Sequence, residues 1–237
     1  MIMTGKTLAI MQPYFAPYIG YFQLISVTDE FVFLDDVNYI KKGWINRNQI
    51  LINKNPGLFT IPLVGASQNK KINELKIHDE KIWKTKLIRT IESSYSKAKY
   101  YTEVKKIIDT ILFSPYESIS ELNVFAIKVI SDYLNIPLTI HKASELGISA
   151  QLKGQERIIA ICEHLNAQSY FNAIGGQKLY QRARFLESNI NLFFIEPVVT
   201  EYSQNLGEFH PNMSILDVMM FNSVESINTM LKNYTLL

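Results

Sequence analysis

Near its N-terminus the chain carries the stretch Leu8-Ala9-Ile10-Met11-Gln12-Pro13-Tyr14-Phe15-Ala16-Pro17-Tyr18-Ile19-Gly20-Tyr21. Its first four residues are apolar and typical of a buried strand, whereas residues 19–27 have the pattern of a helix. Between the two, a pair of prolines restricts the backbone, and Gly20 permits close approach of a chain or a ligand. Open α/β sheets bind ligands at such strand-to-helix loops, so this loop is predicted to form part of a site.

Short apolar strands and amphipathic helices alternate near both ends of the chain. Strands are predicted at 8–11, 31–34, 138–141, 169–172 and 192–196, and helices at 19–27, 154–165 and 176–187. Strand–helix–strand units of this kind build parallel sheets that helices cover. The predicted fold class is therefore α/β, with a largely parallel sheet flanked by helices.

The middle of the chain follows different patterns. Residues 44–63 alternate like two antiparallel strands joined by a turn at 53–57, and residues 79–133 are almost wholly helical. No repeat or long linker divides the sequence. We therefore predict a single domain over residues 1–237, with a core at about 5–40 and 136–222 and a small β and mostly helical insertion at about 41–135.

Composition narrows the classes of function. With 237 residues, of which 47% are hydrophobic and 19% charged, the chain can bury a full core. The net charge of +2 predicts no nucleic-acid partner. No apolar run reaches membrane-spanning length, so no membrane insertion is expected. A single cysteine, Cys162, and the lack of a recognisable signal segment predict a cytoplasmic location.

Polar residues and glycines follow the predicted strands. The carboxyl ends of parallel strands share one edge of a sheet, so these residues are expected to converge there. They are Gln12, Pro13, Tyr14, Asp35, Asp36, Ser144, Glu145, Gly175 and Gly176. Because the strands themselves are apolar, this distribution predicts a ligand cleft at the carboxyl edge.

Asp35 and Asp36 are candidate catalytic carboxylates. Successive residues of a strand point to opposite sides, so at most one of the two is expected to face a given cleft. A carboxylate there could bind sugar hydroxyls, hold magnesium or act as a general base, and capping of the next turn explains it equally well. No histidine and cysteine residues have the spacing of a zinc site, so no metal site is predicted from them.

The predicted hairpin contains a candidate anion-binding segment, Asn46-Arg47-Asn48, just after Trp44. A guanidinium beside an indole suits bidentate binding of phosphate, and Lys41-Lys42 adds positive potential. Alternation places the two asparagines on one face and the arginine on the other. Gly175-Gly176 could free backbone N–H groups for an anion at a helix N-terminus, although the chain has no Walker A motif or full dinucleotide fingerprint.

A second dense polar segment runs from Glu208 to Asp217. Ser214 is typical of a helix N-cap, with Asp217 as a partner resembling that of a capping box. Capping leaves His210 and Asn212 unexplained, which makes them candidates for catalysis and binding.

Several blocks of this sequence resemble the WbqC-like protein family. They are residues 10–22, Val32-Phe33-Leu34-Asp35-Asp36-Val37, Asn46-Arg47-Asn48, Ser144-Glu145-Leu146, Glu156-Arg157-Ile158 and Pro211-Asn212-Met213-Ser214-Ile215-Leu216-Asp217. The family occurs among genes for O-antigen and other surface polysaccharides. The resemblance implies a cytoplasmic step in the synthesis of surface polysaccharide precursors, acting on a nucleotide-linked sugar.

Three functions are compatible with this resemblance. The first is transfer of an acyl or aminoacyl group from a small donor to the amine of a nucleotide-linked amino sugar, with Asp35, Asp36 or His210 as the base. The expected substrate-binding residues are Gln12, Pro13, Tyr14, Tyr18, Gly20, Tyr21, Trp44, Asn46, Arg47, Ser144, Glu145, Arg157, Gly175, Gly176, Asn212 and Ser214.

The other two are an adenylate-handling enzyme similar to nucleotidyltransferases and a non-catalytic protein that binds a sugar nucleotide. The cofactor is unknown, and the sequence leaves ATP and magnesium open. A homodimer that uses the aromatic helical region is compatible with the sequence, and a buried core explains those aromatic residues equally well.

Overall fold

The computed structural model describes residues 5–78, 81–149, 151–205 and 207–237. Its strands are β1 Thr7–Met11, β2 Glu30–Phe33, β3 Arg47–Ile52, β4 Asn55–Thr60, β5 Thr139–Lys142, β6 Ser169–Ala173, β7 Asn191–Pro197 and β8 Tyr234–Leu236. Its α-helices are α1 Ile19–Ser26, α2 Lys81–Tyr95, α3 Tyr101–Leu112, α4 Ile119–Tyr133, α5 Gly154–His164, α6 Arg182–Glu187, α7 Ile215–Phe221 and α8 Val224–Met230. Residue 79, where the helical region is predicted to begin, lies outside the described residues.

Six strands form one sheet in the order β5-β2-β1-β6-β7-β8. The first five of these are parallel to one another, and β8 alone pairs antiparallel, with β7. The predicted α/β class with a largely parallel sheet is confirmed. The chain runs outward from β1 through β2 to β5 and then returns to start again at β6. Such a reversal, here between β1 and β6, opens a crevice above the carboxyl ends of the strands.

Both faces of the sheet are apolar, because the strands are apolar along their length and successive side chains point to opposite faces. Ala9, Phe31 and Phe33 face a core that also contains α1 to α4, α7 and α8. Leu8 and Val32 face a second core that contains α5 and α6. The fully buried Cys162 of α5 belongs to that second core, and burial raises the pKa of its thiol to about 12.

β3 and β4 pair as a separate antiparallel hairpin. Its two turn residues, Asn53 and Lys54, have φ angles of 52° and 67°, as a two-residue type I′ turn requires. The predicted turn at 53–57 is too long, because Asn55-Pro56-Gly57 already belongs to β4. A proline is tolerated there because β4 has a neighbouring strand on one side only.

The predicted helix over 176–187 is wrong in its first half. A 3₁₀ turn covers Ile174–Leu179, and the α-helix begins only at Arg182. Two adjacent glycines disfavour α-helix, which explains the late start. None of the described helices is both long and apolar enough to cross a membrane.

Candidate functional site

The loop between β1 and α1, residues 12–18, is held in place by side chains that lie far away in sequence. The fully buried Asn123 of α4 donates through Nδ2 to the carbonyl oxygen of Pro13 at 2.9 Å and to that of Ile45 at 2.7 Å. Buried carbonyl groups need such donors. Asn123 therefore connects the loop to the chain that enters the hairpin.

Ala16 is the most constrained residue of the loop. Its φ of 41° lies in the left-handed region, which is costly for a residue with a Cβ. Its carbonyl oxygen accepts hydrogen bonds from Asn48 Nδ2 at 2.9 Å and Ser214 Oγ at 2.6 Å. Ser214 also caps α7, as predicted, by accepting from the backbone N–H of Leu216 at 3.2 Å. The loop is thus fixed by the hairpin and by the start of α7.

A pocket of about 360 Å³ lies beside this loop, and we call it the aromatic pocket. Its lining combines aromatic rings, a proline and amide side chains: Tyr14, Pro17, Tyr18, Trp44, Asn48, Gln49 and Asn212. Four of these residues, Tyr14, Tyr18, Trp44 and Asn212, are among those predicted to bind substrate. Burial raises the pKa of Tyr14 and of Tyr18, so both stay uncharged at neutral pH. The aromatic pocket therefore has a neutral lining.

Gly20 and Tyr21 support the aromatic pocket from outside its lining. A Cβ on Gly20 would lie only 2.4 Å from the Tyr18 ring, so any side chain there would displace that ring. Tyr21 is buried in the core, and its hydroxyl donates to the carbonyl oxygen of Gln12 at 2.9 Å. Both residues shape the loop rather than face a ligand.

Arg47 organises the turn that carries Trp44. Its Nε donates to the carbonyl oxygen of Gly43 at 3.0 Å, and its Nη2 donates to that of Lys42. The centre of the guanidinium lies 5.7 Å from the centroid of the Trp44 indole, within range of a cation–π contact. The sequence predicts Arg47 to bind substrate, and in the structure two of its donors are already used by the chain itself.

Asn46 lies on the opposite face of the hairpin from Arg47, as alternation predicts. It is buried, accepts a hydrogen bond from the Tyr39 hydroxyl at 2.8 Å and donates to the carbonyl oxygen of Ile61 at 2.7 Å. Both polar groups of its amide are engaged within the protein. It is placed in the interior, away from the aromatic pocket.

The two neighbouring aspartates have separate partners. Asp35 is 2% exposed and accepts hydrogen bonds from the backbone N–H of Ser144 at 3.0 Å and from its hydroxyl at 2.7 Å. Asp36 forms an ion pair with Arg157 in the first turn of α5. The carboxyl ends of β2 and β5 and the start of α5 are thereby joined. No contact among the described residues connects either carboxylate to the aromatic pocket.

The Asp36–Arg157 pair is incompletely satisfied. Asp36 Oδ1 and Arg157 Nε are both buried, and neither has a hydrogen-bond partner among the residues that the structure describes. Buried polar atoms are usually paired. The pair therefore keeps one unused acceptor and one unused donor at the carboxyl edge of the sheet.

The other predicted residues at this edge are dispersed. Glu145 is exposed and pairs with Lys142 at 2.9 Å. Gly175 is exposed, whereas Gly176 is buried and packs so closely on Asn172 that a Cβ would lie 3.0 Å from its amide. Because these glycines lie in a 3₁₀ turn, they do not form the α-helix N-terminus that was predicted to bind an anion.

Asp217 belongs to a buried polar cluster that the sequence analysis missed. Its carboxylate does not complete a capping box with Ser214; it accepts hydrogen bonds from the hydroxyls of Tyr95 at 2.7 Å and Tyr202 at 2.6 Å, and from Gln204 Nε2 at 2.9 Å. Burial raises the pKa of Asp217. A carboxylate within the apolar run from Ile215 to Met220 was the signal that could have revealed such partners.

This cluster also fixes the segment that leads to the aromatic pocket. Gln204 binds the backbone of His210 in both directions, since Nε2 donates to its carbonyl oxygen at 3.0 Å and Oε1 accepts from its N–H at 2.8 Å. Two residues later, Asn212 has a left-handed φ of 58° and its carbonyl oxygen accepts from Gln49 Nε2 at 3.1 Å. His210 does not line the aromatic pocket, whereas Asn212 does.

Among the described residues, no group of three or more histidine, cysteine, aspartate or glutamate side chains is placed so that it could hold a metal ion.

Comparisons with known proteins point to one family. The model of the WbqC-like protein family matches residues 12–229. An uncharacterized protein of Mycobacterium tuberculosis is 30% identical over 220 residues, which make up 92% of this chain and 94% of that relative. No solved structure matches the chain at a significant level.

Proposed function

Because this chain belongs to the WbqC-like protein family, we propose that it acts in the synthesis of surface polysaccharide precursors. It transfers an acyl or aminoacyl group to the amine of a nucleotide-linked amino sugar. The observation that carries this proposal is the neutral lining of the aromatic pocket, beside the reversal of the sheet. Aromatic walls with a few polar groups suit a sugar or a base, and the position is where open α/β sheets bind ligands.

The proposed reaction transfers a group from one substrate to another without a net change in oxidation state. The amine nitrogen of the sugar attacks the carbonyl carbon of an activated donor, a thioester or an acyl phosphate. A C–N bond forms, and the bond from carbon to the leaving sulfur or oxygen breaks. The amine proton ends on the leaving group, either directly or through water, since Asp35, Asp36 and His210 do not line the aromatic pocket. Holding both substrates in contact supplies most of the rate enhancement in such a reaction.

The test begins with mass spectrometry of small molecules retained after gentle purification, which identifies the nucleotide-linked sugar. The protein is then incubated with that compound and a panel of acyl and aminoacyl thioesters, and the products are analysed for the mass of an N-acylated sugar. Trp44→Ala should reduce turnover about tenfold or more, since the aromatic contact is lost. Trp83→Phe is the matched control, because Trp83 lies in α2 and does not line the aromatic pocket. Retention of no nucleotide and formation of no product with any donor would refute the proposal.

One observation favours a second candidate, binding without turnover. None of the seven residues that line the aromatic pocket carries a carboxylate or an imidazole. A protein that presents a sugar nucleotide to a partner enzyme needs no such group. Tight binding of the retained compound, together with no product under any donor, would support this candidate over the transferase.

A further inference from the structure

The size of the aromatic pocket limits which part of a sugar nucleotide it can hold. Its volume of about 360 Å³ is near the lower end of the range of about 300–1,000 Å³ typical of ligand pockets. A sugar nucleotide consists of a base, a ribose, two phosphates and a sugar. The aromatic pocket therefore receives one end of such a molecule, either the base or the sugar ring.

The polar groups of the lining favour the sugar ring. Asn48 is fully used by the fold, since its Nδ2 donates to two carbonyl groups and its Oδ1 accepts from the N–H of Gln49. The side chains of Tyr18 and Asn212 have no hydrogen-bond partner in the described parts of the chain. These free groups, and Gln49 with its unused oxygen, come from three separate segments around the pocket. Sugar hydroxyls radiate from the ring in several directions, whereas a base carries its polar atoms mainly along its edge.

Four lysines lie on two neighbouring backbone segments, the first of which leads to Trp44, and we call them the lysine ridge: Lys41, Lys42, Lys70 and Lys71. Two backbone hydrogen bonds align their segments, from Tyr39 N to Lys70 O at 2.9 Å and from Ile72 N to Val37 O at 3.0 Å. Asn38 and Lys71 form an antiparallel bridge between these bonds. Residues far apart in sequence are thereby collected at the turn that carries Trp44.

The lysine ridge has unbalanced positive charge. Lys41, Lys42 and Lys70 are exposed, and no carboxylate in the described ranges forms an ion pair with any of the four lysines. Glu74 is nearby, and its carboxylate accepts from the backbone N–H of Lys71 at 2.8 Å. Ammonium groups of this kind attract phosphates as point charges.

We infer that the aromatic pocket takes the sugar ring and that the diphosphate lies against the lysine ridge, which leaves the base outside the pocket. This inference rests on the proposed function and makes it more specific. Trp44 is 44% exposed, lines the aromatic pocket and follows Lys41 and Lys42 closely in the chain. The protein then selects its substrate by the sugar and tolerates different bases.

The first experiment measures binding through the fluorescence of Trp44 in the full-length Trp83→Phe protein, where Trp44 is the sole tryptophan. The probes are UDP-N-acetylglucosamine, dTDP-N-acetylglucosamine, UDP and methyl N-acetylglucosaminide. We expect both sugar nucleotides to change the emission and to have dissociation constants within about threefold of each other, whereas loss of the sugar weakens binding about tenfold. If UDP alone changes the emission as much as UDP-N-acetylglucosamine does, the base occupies the pocket and the inference is wrong.

The second experiment tests the lysine ridge with the variant Lys41→Gln/Lys42→Gln. We expect its affinity for UDP-N-acetylglucosamine to fall about tenfold at low salt and to depend less on salt, because screened charge contacts are lost. Affinity for the methyl glycoside should not change. Lys97→Gln, at an exposed lysine after α2, is the control. Unchanged affinity in the double variant would refute the diphosphate position, and failure of all probes to bind folded protein would refute the proposed function itself.

Discussion

Asp36 and Arg157 form an ion pair in which the two side chains are only 11% and 7% exposed. Each charge has lost most of its contact with water, so each depends on the other for compensation. Removal of one partner from such a pair leaves a buried charge alone, which costs about 3–5 kcal/mol. The pair also joins the chain that follows β2 to the first turn of α5.

We expect Arg157→Met to lower the free energy of unfolding by about 3 kcal/mol, because Asp36 is left without its counter-charge. Adding Asp36→Asn to that variant should restore much of the loss. Urea denaturation measures both effects. The control is Arg184→Met, since Arg184 pairs with Glu156 at 2.7 Å with side chains 34% and 43% exposed, and surface pairs contribute about 1 kcal/mol or less. Equal losses at the two arginines would contradict the interpretation.

The pKa of Asp217 gives a second prediction. Burial raises this pKa above its ordinary value of 3.8, so the folded protein binds the proton more tightly than the unfolded chain does. The stability that protonation adds is fully present below the unfolded pKa and is lost as the pH rises through the folded pKa. We therefore expect the wild type to lose stability relative to Asp217→Asn as the pH rises from about 4 to 7.

Urea denaturation at several pH values measures that difference. Glu225→Gln, at an exposed position of α8, serves as the control. The prediction would be contradicted if the difference in free energy of unfolding between wild type and Asp217→Asn stayed constant over this pH range. A change in favour of the wild type as the pH rises would contradict it as well.

Individual site residues differ in how far the sequence could predict them. Tyr14 and Tyr18 could be selected because they lie in a strand-to-helix loop, where open α/β sheets bind ligands, although their neighbour Phe15 is buried in the core. Trp44 could be selected because it lies close in sequence to a guanidinium. The choice between Asn46 and Asn48 could not be made, since alternation places both on one face and only the tertiary structure decides what that face contacts. The partner of Asp36 lies 121 positions away along the chain, and no local pattern encodes such a pairing.

At the scale of elements, the turn between β3 and β4 has a strained backbone conformation. Lys54 has a φ of 67°, and a residue with a Cβ loses about 1–2 kcal/mol in the left-handed region. Asn53 tolerates the same region better, because its short polar side chain can bond locally. Type I′ turns therefore favour Asn-Gly over the Asn-Lys found here.

We expect Lys54→Gly to raise the free energy of unfolding by about 0.5–1 kcal/mol, since the strain is larger than the added flexibility of the unfolded chain. Thermal denaturation measures the gain. Lys54→Ala removes the same charge but keeps the Cβ, so it should give no gain. Stabilisation by alanine equal to that by glycine would show that charge, and not backbone conformation, is responsible.

Most elements could be predicted because their signals are local. The strand at 8–11 and the helix at 154–165 end within one residue of β1 and α5. β8 could not be predicted. It has three residues, and its structure depends on pairing with β7.

For the molecule as a whole, β8 covers one edge of the sheet. The backbone of Leu237 both donates to Phe194 at 2.9 Å and accepts from it at 2.8 Å. Uncovered edge strands pair readily with other chains. We expect deletion of residues 234–237 to increase the average mass in solution, as measured by light scattering over a series of protein concentrations. Thr235→Lys keeps the backbone pairing and should behave like the full chain, and association of both variants alike would contradict the explanation.

The order of strands follows from the alternating pattern only in part. Parallel pairing could be predicted from the strand–helix–strand units, but the reversal between β1 and β6 depends on which face each connecting helix covers. Apolar residues lie on both faces of the strands, for example Phe31 on one and Val32 on the other. The local sequence therefore does not decide which face a connecting helix covers. The loop after β1 could be predicted to form part of a site, but the position of the crevice between β1 and β6 had to come from the tertiary structure.

The hydrogen bonds that hold the loop between β1 and α1 determine when that loop can reach its final structure during folding. Asn48, Asn123 and Ser214 reach its carbonyl groups across 32, 110 and 198 positions of sequence. Contacts over such separations form late, because long stretches of chain must first be ordered. A nascent or cleaved polypeptide that ends before Asn212 lacks one lining residue of the aromatic pocket and the Ser214 hydroxyl that holds Ala16, so we expect the pocket to be complete only when synthesis of the chain is nearly finished.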